Sequence, residues 1–285
     1  MSELARRVIV ALIGAPIAML IIWVGDAALA TLIGVLSALA AWELYRIAHA
    51  AGYTPVAPVG IVAAAVLPLV VHAQQLGLVR VPFSAPIVVL LLTVILALFL
   101  RAPSERPLGA SAITLFGVAY TGGLLSFAYA LRNFDYVVGQ AAGAVVVAFP
   151  LLLTWATDIG AFFVGRAVGG RKLMPSISPG KTVSGAVGGV LAAVLVAWLF
   201  QRYALIPIAQ LALRPMALVG VAVALSVVGQ LGDLVESQLK REGNVKDSSH
   251  LIPGHGGVLD RLDSLLFTFP VAFVLLRWLV IPVPR

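Results

Sequence analysis

The chain reads as an all-α, polytopic membrane protein, on three observations. Hydrophobic residues make up 61% of its 285 positions and charged residues only 11%, against about 25% charge in a soluble domain. Mean hydropathy is +1.06. The runs Val8–Val24, Ile87–Leu100 and Val183–Phe200 contain no charged side chain. About 20 residues at ~1.5 Å each cross a hydrocarbon core of ~30 Å, and backbone groups in lipid must be satisfied within the segment, so such runs span as helices. Barrel strands would alternate apolar and polar residues, and these do not.

Taken in order, about nine transmembrane helices are predicted, near 8–24, 27–45, 56–73, 86–100, 112–131, 141–164, 183–200, 215–235 and 264–281. Arg6 and Arg7 before the first run, with Ala28-Leu29-Ala30 after it, resemble a signal peptide. That run is longer than the usual signal core and a second follows at once, so it is read as an uncleaved span. Gly25-Asp26 turns the first two spans into a hairpin. Pro55 and Pro58, Pro103 and Pro107, and Pro207 and Pro215 punctuate later boundaries, and Pro150 should kink or end the sixth span. Residues 1–140 contribute mainly spans. Residues 141–285 form the region predicted to carry the chemistry, with polar loops at 165–182 and 236–263.

The net charge of +7 does not signal nucleic acid, because the basic residues fall singly or in pairs between apolar runs, as helix-end anchors do. With the N-terminus inside, Arg6, Arg7, Arg46, Arg101, Arg106, Arg166, Arg171, Lys172, Lys181, Lys240, Arg241, Lys246 and Arg261 lie on the inner side. Arg80, Arg132, Arg202, Arg214, Arg277 and Arg285 lie outside, a 13-to-6 division of the 19 bases. The N-terminus is therefore expected in the cytoplasm, the C-terminus outside, and both polar loops cytoplasmic. The chain has no cysteine, so neither disulfides nor thiolate sites arise.

Six of the 12 acids lie between Asp233 and Asp263: Asp233, Glu236, Glu242, Asp247, Asp260 and Asp263. Charges near membrane depth default to function. Asp233, Glu236, Ser237 and Lys240 follow a helical spacing that places them on one face, although a solvated helix end with a Glu236–Lys240 pair would look the same. Pro253-Gly254-His255-Gly256-Gly257 next offers a turn whose N–H groups can approach an anion, before a helix starting near Asp260. Asp260 or Asp263 could instead be an N-cap of that helix.

Ser178-Pro179-Gly180-Lys181-Thr182 precedes the seventh span. It is not a Walker A loop, because Pro175 stands where that motif needs glycine and no strand is expected before it. A phosphate-holding turn at a helix start remains. Asp158 in the sixth span is expected to line an aqueous cavity near the cytoplasmic end, the alternative being a snorkelling surface acid. Glu43, Tyr45 and Arg46 read as an interface anchor and stay outside the predicted site. Separated carboxylates, bases and a Gly-rich turn on one side of a membrane suit a divalent cation and a polyphosphate. No zinc spacing and no Ser-His-Asp set is present.

From Ser237 to Asp263, a stretch of 27 residues, the chain resembles at about a dozen fixed positions the signature of phosphatidate cytidylyltransferases (CDP-diacylglycerol synthases). Gly232-Asp233-Leu234, Ser178–Thr182 and Asp158 are also similar to that family. The resemblance implies transfer of CMP from CTP to phosphatidate with Mg²⁺, and leaves room for a second cation, monovalent or divalent. It implies a multi-pass protein of the inner (plasma) membrane, its active site facing the cytoplasm, and a homodimer. It assigns cation binding to Asp233 and Asp260, with Asp263, Glu236 and Asp158 alongside. Catalytic roles fall to Asp233, Asp260, Lys240, Arg241, His255 and Arg261. Substrate binding falls to Ser178, Gly180, Lys181, Thr182, Ser237, Lys246, Asp247, Gly256 and Gly257.

Two other classes share features with this reading. A CTP-dependent polyprenol or phytol kinase would use the same nucleotide in the same setting but release CDP. A secondary transporter would scatter acids at mid-membrane in two broken-helix halves, whereas here they gather at one end. Alcohol phosphotransferases that consume CDP-diacylglycerol carry a paired-aspartate helix motif that is not present.

Overall fold

A computed structural model describes residues 3–82, 84–252, 254 and 256–283, without the side chains of 3–11, 13 and 15. Each predicted apolar segment is a helix: α1 (Glu3–Val24), α2 (Asp26–Ala50), α3 (Ala57–Gln75), α4 (Ala85–Leu100), α5 with α6 (Pro107–Gly117, Leu124–Arg132), α7 (Gln140–Val168), α8 (Val183–Phe200), α9 (Pro215–Glu242) and α10 (Leu259–Leu279). The all-α polytopic class therefore holds. Among the described residues, seven helical stretches are long and apolar enough to cross a membrane: 26–50, 57–75, 107–132, 140–168, 183–209, 215–242 and 259–279. The apolar helix α4 has 16 residues, short of the ~20 that a span needs.

One boundary differs from the expected ones. Pro207 does not end the seventh span, which continues from α8 as a π-helical stretch, Gln201–Ala209. Proline lacks the N–H for an ordinary helical bond, and a widened turn accommodates that loss. Pro150 lies inside α7, which continues past it. Gly25-Asp26 is the expected tight turn, with φ of 72° and 44°.

The chain forms two compact units. The first comprises Met1–Ile21, Asp26–Tyr129 and Leu239–Arg261. Its helices approach closely at glycines, as membrane helices do when small residues line the contact. A Cβ on Gly34 would meet the Ala65 carbonyl at 2.7 Å, and one on Gly122 the Ala64 carbonyl at 2.7 Å. Tyr45 lies against Gly60 and Gly117 and donates its hydroxyl to Thr114 O at 2.7 Å. This contact sets the rotation of α2. Two residues along a helix are about 200° apart, so Glu43 points away from Tyr45. The Glu43 face, continued one turn on by Ile47, meets residues 243 and 257.

The second unit comprises Ile22–Gly25, Ala130–Gln238 and Leu262–Arg285. Helices α7 and α8 cross on glycines: a Cβ on Gly160 would meet Gly188 O at 2.7 Å, and one on Gly185 would meet Ala161 O at 2.7 Å. Buried hydroxyls tie α7 to its neighbours, Thr157 Oγ1 to Ser226 Oγ at 3.0 Å and Thr154 Oγ1 to Thr268 Oγ1 at 3.2 Å. Arg132 is buried and donates to the carbonyls of Ile22 and Trp23, both at 2.9 Å, at the end of α1. Two small antiparallel ribbons complete the unit. Strand β1 (Lys172–Met174) pairs with β2 (Ser178–Thr182), and β3 (Leu211–Leu213) pairs with β4 (Val280–Pro282).

Candidate functional site

The loop 248–259, which contains the glycine-rich turn, is held at both ends by Glu43 of α2. Glu43 is wholly buried, 0% exposed. It accepts hydrogen bonds from Ser248 Oγ at 2.8 Å, Ser249 Oγ at 2.5 Å, Val258 N at 2.9 Å and Leu259 N at 2.7 Å. Burial of a carboxyl group is tolerated when its acceptor capacity is filled in this way. The last two donors are N–H groups at the start of α10, which have no partner within their own helix. A buried acidic group thus caps α10 from another helix, where the sequence suggested room for a substrate anion.

Asp260 sits in the first turn of α10, one residue beyond the N–H groups that Glu43 holds. Oδ2 accepts from Gly257 N at 2.8 Å, Ser248 N at 3.0 Å and Ser248 Oγ at 3.0 Å. Oδ1 faces Lys240 Nζ at 2.6 Å. Asp260 is therefore not the N-cap considered as an alternative; it bonds back to the loop. Gly257 is required because a Cβ there would strike Ser248 Oγ and both Glu43 oxygens. Gly254 and Gly256 have φ of 77° and 82°, and an antiparallel bridge joins Ile252 to Gly256, giving the tight turn expected of glycines. The N–H of Gly257 faces Asp260 rather than an open anion pocket. His255 lies outside the described residues.

Around this loop Arg241, Glu242, Lys246, Asp247 and Arg261 are exposed. A cavity of about 350 Å³ is lined by Arg46, Lys246, Asp247, Ser248, Ser249 and His250, among others. It gives the loop a polar, mixed-charge recess.

In the second unit the Ser178–Thr182 segment is strand β2 rather than a simple turn, and Lys181 reaches Asp233 Oδ2 at 2.5 Å. Ser237 Oγ donates to Asp233 Oδ1 at 3.4 Å, one helical turn along α9. Thr182 is the N-cap of α8, accepting from Gly185 N at 3.1 Å, while Gly180 is exposed, with open space around its Cα. Glu236 is fully buried. Asp263 is half-buried with Oδ1 at 2.5 Å from Ser264 N, and Asp158 is exposed.

Two aspartate–lysine pairs emerge from the predicted set, Asp260–Lys240 and Asp233–Lys181, with Asp233 and Lys240 on the same helix, α9. Among the described residues no three His, Asp or Glu side chains gather to hold a metal. Mg²⁺ is commonly bound by one or two carboxylates plus substrate phosphates. Asp260 in the first unit and Asp233 in the second each offer carboxylate oxygens, and each holds a lysine ammonium against its carboxylate.

Glu43, Ser248 and Ser249 were not among the predicted residues. The available signal was the acid itself, Glu43, inside an apolar run, and an interface anchor accounted for it adequately.

Compared with known proteins, the chain is 45% identical over 164 residues to the phosphatidate cytidylyltransferase of Bacillus subtilis, covering 58% of this chain and 57% of that one. The enzyme of the same name from Staphylococcus epidermidis is 41% identical over 166 residues, 58% of this chain and 59% of its own. That from Staphylococcus aureus is 39% identical over the same length and shares. The aligned stretch thus spans less than three-fifths of these relatives. The model of the cytidylyltransferase family matches residues 5–279, and on that match the chain belongs to the cytidylyltransferase family.

Proposed function

We propose that the protein transfers the cytidylyl group of CTP to phosphatidate, giving CDP-diacylglycerol and pyrophosphate, at the cytoplasmic face of the plasma membrane. The observation that carries this reading is the loop 248–259, pinned by Glu43 and closed on an Asp260–Lys240 pair, in a family member whose relatives bear the name of that activity. The 13-to-6 division of Lys and Arg supports a cytoplasmic location for this loop.

The chemistry is a displacement at phosphorus. An anionic phosphate oxygen of phosphatidate attacks the α-phosphorus of CTP, one P–O bond forms, and the bond from that phosphorus to the oxygen bridging to the β-phosphate breaks. Pyrophosphate leaves with the electron pair. No strong general base is needed, because the nucleophile is already ionised; the barrier is the meeting of two polyanions. Lys240 and Lys181, each held beside an aspartate, can turn their ammonium groups to incoming phosphates. The exposed bases Arg241, Lys246 and Arg261 add attraction for the nucleotide. Mg²⁺, for which Asp233 and Asp260 are each candidate carboxylates, would neutralise phosphate charge and ease departure of pyrophosphate.

The test is product analysis with purified protein, Mg²⁺, phosphatidate and CTP labelled at either the α or the γ phosphorus. Label from the α position should enter lipid and label from the γ position should leave as pyrophosphate. Entry of γ label into lipid, with release of CDP, would instead mark a lipid kinase.

A further inference from the structure

We infer that Glu43 is a positioning residue for this reaction, acting through Ser248 and the start of α10 to set the place of Asp260 and hence of Lys240; the inference rests on the function proposed above. Glu43 is wholly buried, so it acts through the loop rather than by direct contact with solvent-borne substrate. Its four bonds fall at both ends of one loop, on Ser248 and Ser249 where the loop begins and on Val258 and Leu259 where it ends. Asp260 is the next residue along the chain.

A second connection runs through Ser248. Its Oγ lies 2.8 Å from Glu43 Oε2 and 3.0 Å from Asp260 Oδ2. A hydroxyl has one proton and can donate to only one of them at a time. The two acids are therefore coupled: when Glu43 takes that proton, Asp260 Oδ2 is left to the N–H groups of Ser248 and Gly257. Oδ1, the other oxygen of the same planar carboxylate, then faces Lys240. Loss of Glu43 would release both loop ends, return the Ser248 proton to Asp260, and let that plane rotate. Errors of about 1 Å in a reacting constellation cost on the order of 10²-fold in rate.

Glu43→Gln isolates the effect at nearly constant size. Val258 N–H points to Oε1 and Leu259 N–H to Oε2, so whichever way the amide turns, its NH₂ meets a backbone donor that cannot turn away. Glu43→Gln should lower kcat by about 10- to 100-fold, the range for residues supporting a site from behind, with KM for CTP and phosphatidate within about threefold of the parent. Amide exchange in the peptide covering 256–262 should quicken in the same variant. Ser248→Ala, which deletes only the shared hydroxyl, provides a milder second variant and should lower kcat by about 10-fold at unchanged KM.

A role confined to stability predicts something else: less folded protein, but the parent kcat per folded molecule. That result in both variants, or unaltered exchange in Glu43→Gln, would overturn the inference. Failure of the proposed function would show separately, in a parent that makes no CDP-diacylglycerol before any substitution is introduced.

Discussion

Lys240 Nζ lies 2.6 Å from Asp260 Oδ1, across the 20 residues that separate the end of α9 from the first turn of α10. The side chains are 13% and 7% exposed, so this is a shielded charge pair rather than a surface contact. Such a pair is costly to break by removing one partner alone.

Asp260→Asn should therefore lower kcat by about 10²–10³-fold, the range for loss of an electrostatic contact to a transition state. The Asn oxygen can keep the Gly257 and Ser248 donors only by turning its NH₂ toward the Lys240 ammonium. Lys240→Met should be similarly damaging. Because the two side chains share one contact, the double variant should be little worse than either single one. Steady-state turnover at saturating Mg²⁺ checks this, and additive losses would show that the residues act independently.

Asp233→Asn should also lower kcat by about 10²–10³-fold, and should raise the Mg²⁺ concentration needed for half-maximal rate. Chelation by EDTA should abolish turnover reversibly in the parent. Titrating Mg²⁺ against rate in the parent and the variant tests both statements, and an unaltered Mg²⁺ requirement would remove Asp233 from cation binding.

Gly257→Ala should destabilise the folded protein by about 1–3 kcal/mol, the usual cost of forcing atoms into a filled site, because its Cβ meets Ser248 and Glu43. Gly180→Ala, which faces open space, should stay within about 0.5 kcal/mol of the parent. Thermal unfolding in detergent, followed by intrinsic fluorescence, distinguishes the two, and equal midpoints would contradict the close packing behind Gly257.

The sidedness is open to a clean labelling experiment, because the chain has no cysteine. Ser176→Cys and His250→Cys, at exposed positions, should resist an impermeant thiol reagent in intact cells and react once the membrane is opened. Tyr136→Cys, at a position 67% exposed, should react in intact cells. The reverse pattern would invert the topology.

By itself the sequence determined the membrane class and the run of helices. Lipid offers no outside partner for a backbone N–H or carbonyl, so an uncharged apolar run must close its bonds within a helix. It also marked Asp233, Lys240, Gly257 and Asp260, because charges and glycines are conspicuous against an apolar chain. Relationships between distant residues were not legible. Glu43 stands 205 positions before Ser248, and within its own helix it looks like any acid near a membrane surface. Only the packing of Tyr45 against Gly60 and Gly117 turned Glu43 toward the loop. Only the folded loop made α10's first N–H groups its partners. Helix formation is local and readable from spacing, whereas the partner of a buried carboxyl group depends on which helix faces are brought together, and that is decided by tertiary structure alone.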